Sequence, residues 1–134
     1  MREIKFRGKC TGKKGWVIGN LIRVGQKYFI SGFIRFFSEV YPESVGQSPG
    51  LKDSLGQEIY EGDILEEVDS SYIGHRLLVA WDKSEAGFKL LEPQPDGSWF
   101  PSSQPMQSAT HLKIIGNKLE SPELLEYKLE GNNE

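Results

Sequence analysis

The amino-acid sequence predicts a mainly β protein, and three observations carry that prediction. The first residues alternate apolar and charged side chains with the period of a half-buried strand. Short β-rich runs then succeed one another, divided by turn residues that draw on 15 glycines and seven prolines. Helix-start chemistry is confined to one segment near the C-terminus.

The opening Arg2-Glu3-Ile4-Lys5-Phe6-Arg7 reads as a strand, with Ile4 and Phe6 on one side and Glu3, Lys5 and Arg7 on the other. Cys10 to Gly15 is turn material, and Trp16 to Val24 resumes a β pattern with Ile18, Ile22 and Val24 on Trp16's face, so the two runs predict a hairpin. Gly25-Gln26 leads to Lys27–Ile30. The continuation through Phe33, Ile34, Phe36 and Phe37 fits another strand or a buried turn. Tyr41 to Pro49, with two prolines, a glycine and two serines, predicts an end to regular structure and a boundary near Gly50.

Beyond it, Asp53-Ser54-Leu55-Gly56 has the residues of a type I turn, Asp first and Gly fourth. The runs Ile64–Val68, Leu77–Trp81, Phe88–Leu91, Ser98–Phe100 and Leu112–Ile115 predict five short strands whose spacing suggests a small barrel. Asp69-Ser70-Ser71, Asp82–Gly87, Pro93–Gly97 and the polar stretch Pro101–Ala109 divide them as turns. Ser121 as cap, Pro122 at the first helical position, Glu123 in the first turn and the Leu125/Leu129 spacing predict a short C-terminal helix. The expected organisation is an N-terminal β-lobe over 1–49, a β-barrel with that helix over 50–128, and a polar tail over 129–134.

At 134 residues such a chain buries roughly two-thirds of its unfolded surface. Its 37% hydrophobic and 26% charged residues are those of a folded globule. One cysteine, Cys10, makes no internal disulfide, and no stretch has signal-peptide or membrane-spanning character, which implies a reducing cytoplasm and no membrane partner. The net charge of −3 hides an asymmetry: residues 1–40 hold nine Lys or Arg against two Glu, net +7, and the remainder seven against seventeen acids, net −10. Such a division suits a nucleic-acid or acidic-partner surface, or two parts of a molecule that attract each other or a neighbouring subunit.

No catalytic set emerges. His75, His111 and Cys10 lack zinc-site spacing, and no serine lies in a nucleophile elbow, so no metal and no cofactor is expected. Glu58, Glu61 and Asp63 resemble paired carboxylates, but acids beside a Gly-Asp turn are ordinarily turn and cap residues. An enzyme built on them, or on His111, would require their convergence in one pocket. Gly12-Lys13-Lys14-Gly15 imitates a backbone-clamping Gly-x-x-Gly loop, yet joins two strands where that loop joins two helices. The candidate binding residues are therefore Arg2, Lys5, Arg7, Lys9, Lys13, Lys14, Trp16, Arg23 and Arg35, cations interleaved with aromatics as in proteins that hold single strands. The same Phe and Trp residues suit a core, and Phe33–Phe37 suits a subunit interface.

Several ordered blocks resemble the YopX family of phage and prophage proteins: Met1 to Gly8, Trp16-Val17, Val45-Gly46-Gln47, then Gly50-Leu51-Lys52-Asp53 through Gly56, Glu58-Ile59-Tyr60-Glu61-Gly62-Asp63-Ile64, and finally Ile115-Gly116-Asn117 with Ser121-Pro122-Glu123-Leu124-Leu125. The sequence departs from the family's usual pattern at Gln47–Gly50 and in its Phe-rich Tyr28–Phe37 segment. The resemblance implies an all-β fold with an SH3-like barrel in the C-terminal part, carriage on a phage or prophage, and an intracellular host location; it implies no activity. Physically, Gly50, Gly56 and Gly62 supply turns, Leu51, Ile59 and Ile64 apolar anchors, and Asp53 and Asp63 turn hydrogen bonds. The expectation is a non-enzymatic accessory protein that binds a protein or nucleic acid, with a self-assembling protein as the alternative.

Overall fold

The computed structural model of the chain describes residues 3–32, 37–67 and 75–126. It divides into two compact units, Met1–Gly50 and Leu51–Glu134. Each is built on one antiparallel five-stranded sheet. The Asp69–Ser71 turn, the 33–36 stretch and the polar tail lie outside the described residues.

The first unit contains β1 (Phe6–Lys9), β2 (Trp16–Val24), β3 (Lys27–Ser31), β4 (Phe37–Val40) and β5 (Gly46–Gln47), in the order β4-β3-β2-β1-β5. The opening strand starts four residues later than its alternation suggests, and Ile4 is 54% exposed. Its neighbours explain this, because Gly19 on β2 and Gln47 on β5 are opposite Phe6 and neither ladder continues past it. The segment predicted to be irregular holds a short 3-10 turn, Pro42–Ser44, and β5.

The centre of this sheet turns on Gly19. Residues 16–19 of β2 pair with β1 and residues 20–24 with β3, so the strand changes partner at that point. A Cβ on Gly19 would lie 1.9 Å from the Ser31 carbonyl oxygen. Only a glycine lets the two backbones approach so closely. The sheet then rolls until Cys10 bridges Val40, with the Tyr41 N–H donating to the Lys9 carbonyl and the Thr11 N–H to the Glu39 carbonyl. The rolled side encloses Cys10, Ile30 and Val40.

The second unit contains β6 (Asp63–Glu67), β7 (Arg76–Asp82), β8 (Gly87–Pro93), β9 (Trp99–Pro101) and β10 (Leu112–Asn117), in the order β10-β6-β7-β8-β9. These match the five predicted runs. Ile59, Leu65, Leu77, Val79, Leu90, Ala109 and Leu112 form its core, with Leu51, Met106 and Ile114 packed against them. Registered pairs such as Leu65 with Leu77 and Val79 with Leu90 put these side chains on one face.

Three expectations need correction here. The ladder runs from β10 to β9 without closing, so the described residues form an open sheet and no closed barrel. The polar stretch read as a turn ends in a 3-10 helix, Met106–His111, that places Ala109 in the core. The predicted C-terminal helix is a single 3-10 turn, Pro122–Leu125, in which the Ser121 side chain makes no capping bond and Glu126 is already extended. The reason is tertiary: a Cβ on Gly116 would meet the Leu124 side chain and the Ser121 hydroxyl, and the Arg76 guanidinium donates to the Leu124 carbonyl. Packed and bonded this way, the turn does not continue as an α-helix.

Gly19→Ala should destabilise the first unit by about 3 kcal/mol or more, since backbone crowds the added methyl and cannot rotate away. Urea unfolding followed by tryptophan fluorescence reads this, and an unchanged midpoint would mean that β2 does not bend at Gly19.

Candidate functional site

The first sheet has one face that its own core does not use. Cross-strand partners share a face, so the register groups Arg7 with Ile18, Lys9 with Trp16, Ile22 with Phe29, Val24 with Lys27 and Ser31 with Phe37. Strand alternation joins these pairs into one surface opposite Ile30 and Val40. On it Ile18 is 51% exposed, Phe37 60% and Val24 62%. Trp16, Ile22 and Phe29 lie half-buried among them, and Glu39 is opposite Phe29. The Arg7 guanidinium stands over the Trp16 ring at 4.8 Å, a cation–π contact.

The binding residues expected from sequence fall in three places. Arg7, Lys9 and Trp16 share the outward face, and Lys5, just before β1, is 3.6 Å from Glu3. Lys13 and Lys14 are exposed in the turn between β1 and β2. Arg23 stands on the opposite face, its guanidinium 5.6 Å from the Tyr28 ring centroid and its Nε donating to the Gly25 carbonyl. Arg2 and Arg35 lie outside the described residues. The alternation of Ile18, Ile22 and Val24 with Trp16 was readable in sequence; their exposure depends on which side Ile30 and Val40 fill.

The first glycine-punctuated block of the second unit is held by one carboxylate. Asp53 is buried, yet its Oδ1 accepts the Leu55 and Gln57 amides at 2.9 and 2.8 Å, and its Oδ2 accepts the Ile114 amide at 3.0 Å. The Gly56 N–H donates to the Asp53 carbonyl, closing the expected turn with Gly56 at φ 85°, and Lys52 bridges Glu58 across it. Burial raises the Asp53 pKa more than any other single effect. The amides of Ile114, Gln57, Leu55 and Gly56 together outweigh it and hold the carboxyl below its ordinary value. A second knot lies nearby: Gly62, at φ 95°, donates its N–H to the Val79 carbonyl and accepts the Lys118 amide, and the buried Asp63 carboxylate accepts the Tyr60 amide. Ile59, Tyr60 and Ile64 go into the interior, and the Asn117 carboxamide oxygen accepts the Leu119 and Glu120 amides.

The model of the YopX protein family matches residues 5–126, most of the chain and all of the blocks just described except the first residues. The chain belongs to the YopX family. Among solved structures it is similar to the crystal structure of protein EF1440 from Enterococcus faecalis, at 25% identity and a TM-score of 0.55, over 94% of this chain and 100% of that one. A comparison with curated proteins returns no match.

In this YopX-family chain Glu58 faces Lys52 across a backbone bridge, Asp63 opens β6, and His111 is exposed at the end of the 3-10 helix. His75 Nε2 is 3.6 Å from a Glu92 carboxylate oxygen. Among the described residues no three His, Cys, Asp or Glu are grouped so as to hold a metal ion. A concavity of about 420 Å³ lined by Ala80, Trp81, Asp82, Lys89, Leu91 and Pro101 lies on the second sheet; no sequence pattern announced it, because its lining comes from three strands and a turn.

Asp53→Asn should lower stability near neutral pH by about 1–3 kcal/mol, since an amide cannot accept on both sides and strands at least one buried N–H. The depressed carboxyl contributes stability that is complete above its unfolded value near 3.9 and is lost as pH falls through its lower folded value. The gap between wild type and variant should therefore shrink below about pH 4. Chemical unfolding at several pH values measures it, and a gap independent of pH would assign Asp53 a neutral role.

Proposed function

We propose that this YopX-family chain is a phage- or prophage-encoded accessory protein that acts without catalysis, as a binding module in the host cytoplasm. In this reading the outward face of the first sheet takes a protein partner. One observation carries it: Ile18, Val24 and Phe37 are each more than half exposed on a single sheet face, beside Arg7, Lys9 and Lys27. Grouped exposed apolar side chains rimmed by charge are the usual composition of an interaction surface.

The second unit, in the same proposal, follows the SH3-like plan. Support comes from its strand order, in which the last strand returns beside the first, and from the 3-10 helix just before that strand. SH3-like domains host many functions, so the plan favours a binding role by analogy alone. No helix among the described residues is long and apolar enough to cross a membrane, which accords with the proposed location.

A nucleic-acid partner is the competing reading, favoured by the exposed Lys13 and Lys14 beside this sheet. It fits less well. Stacking platforms need open ring faces, and one face of Trp16 is taken by Arg7.

Tagged full-length chain, wild type and the double variant Ile18→Thr/Phe37→Thr, should be recovered from the bacterial host with and without nuclease. The reading expects a defined protein that survives nuclease and drops about tenfold with the variant, the scale of losing interface anchors. Equal recovery with both chains would remove the face from the account. Loss on nuclease treatment, with binding that falls steeply with salt, would transfer the surface to nucleic acid.

A further inference from the structure

Resting on that reading, we infer that the partner of the outward face is the acidic second unit of another copy of this chain. The face is chemically one-sided. Arg7, Lys9 and Lys27 border its apolar residues, and Glu39 is its sole acid among the paired positions. Apolar surface bordered by carboxylates would complement it.

The chain carries that complement itself. Residues 1–40 are net +7 and residues 41–134 net −10, so the excess positive charge of one part is matched within the same polypeptide. At the end of the second unit Glu123 and Glu126 are exposed around the 3-10 turn Pro122–Leu125, whose Leu125 is half-buried. Carboxylates beside a leucine present the mirror composition of cations beside Ile18 and Phe37.

Such a contact joins different surfaces on the two copies. It is heterologous, and repeats head to tail into a ring or an open chain. Attraction between exposed charges is screened by salt, while the buried apolar part is not. Assembly therefore weakens with salt without vanishing.

Sedimentation velocity of the full chain over a hundredfold range of concentration, at low and high salt, tests this directly. The mass should rise with concentration past that of a dimer, and Ile18→Thr/Phe37→Thr should weaken association about tenfold while leaving the melting temperature in place. Lys27→Glu and Glu123→Lys should each weaken it, and an equimolar mixture of the two variants should recover the wild-type association, because every contact between unlike copies again pairs opposite charges. A monomer at every concentration, or association indifferent to all four substitutions, would overturn the inference. If the chain is monomeric while the face variant still loses a captured host protein, the binding-module reading stands and the second-copy partner falls.

Discussion

The second unit depends on one buried carboxylate. Asp53 sits in a turn, far in sequence from β10, and reaches across to take the Ile114 amide while its other oxygen closes its own loop. Leu112 and Ile114 direct backbone groups away from β6, toward what would otherwise be a raw sheet edge. The Ser54 amide takes the Leu112 carbonyl and Asp53 takes the Ile114 amide, so a turn substitutes for a sixth strand. Exposed edges invite unwanted pairing, and a charge-assisted bond is about twice as strong as a neutral one. The same bonds position Ile59 and Leu51 against Leu65 and Leu112, which is how a turn residue comes to organise a core.

The first unit solves a similar problem with neutral groups. Beyond the short β5, the Lys9 amide donates to the Ser44 hydroxyl, which in turn donates to the Tyr41 carbonyl, and Tyr41 and Val40 return to the end of β1. Rolling the sheet this way satisfies backbone groups and buries Ile30 and Val40. It also commits every alternate residue of β2 and β3 to the outside. The exposed Ile18, Val24 and Phe37 are thus a by-product of where the roll closes, unless something covers them; their apolar character is what makes that covering worthwhile.

Much of the fold was legible in sequence because it is written in local chemistry. Alternation located β2, β-rich runs divided by turn residues located β6 to β10, and the Asp53 to Gly56 turn arises from what Asp and Gly do at those positions. Features set by distant partners were not legible. Ile4 alternates as well as Phe6 does, yet the ladders stop at Phe6. Ser121-Pro122-Glu123 is a sound helix start, but Gly116 and Arg76 hold Pro122–Leu125 to one 3-10 turn. Gly19 lies within a β-rich run beside Asn20, and nothing local announces the Ser31 carbonyl pressed against it. The candidate face was half legible: parity put Ile18, Ile22 and Val24 beside Trp16, while Arg23, counted with the binding cations, belongs to the other side.

Amide hydrogen exchange at Ile114, monitored by NMR against pH, tests the role given to Asp53 most directly. That amide has no strand partner, so the account predicts protection comparable to the core amides of β6 and β7 near neutral pH, fading as the carboxylate is protonated in acid. Exchange at neutral pH as fast as at an exposed loop amide would contradict it.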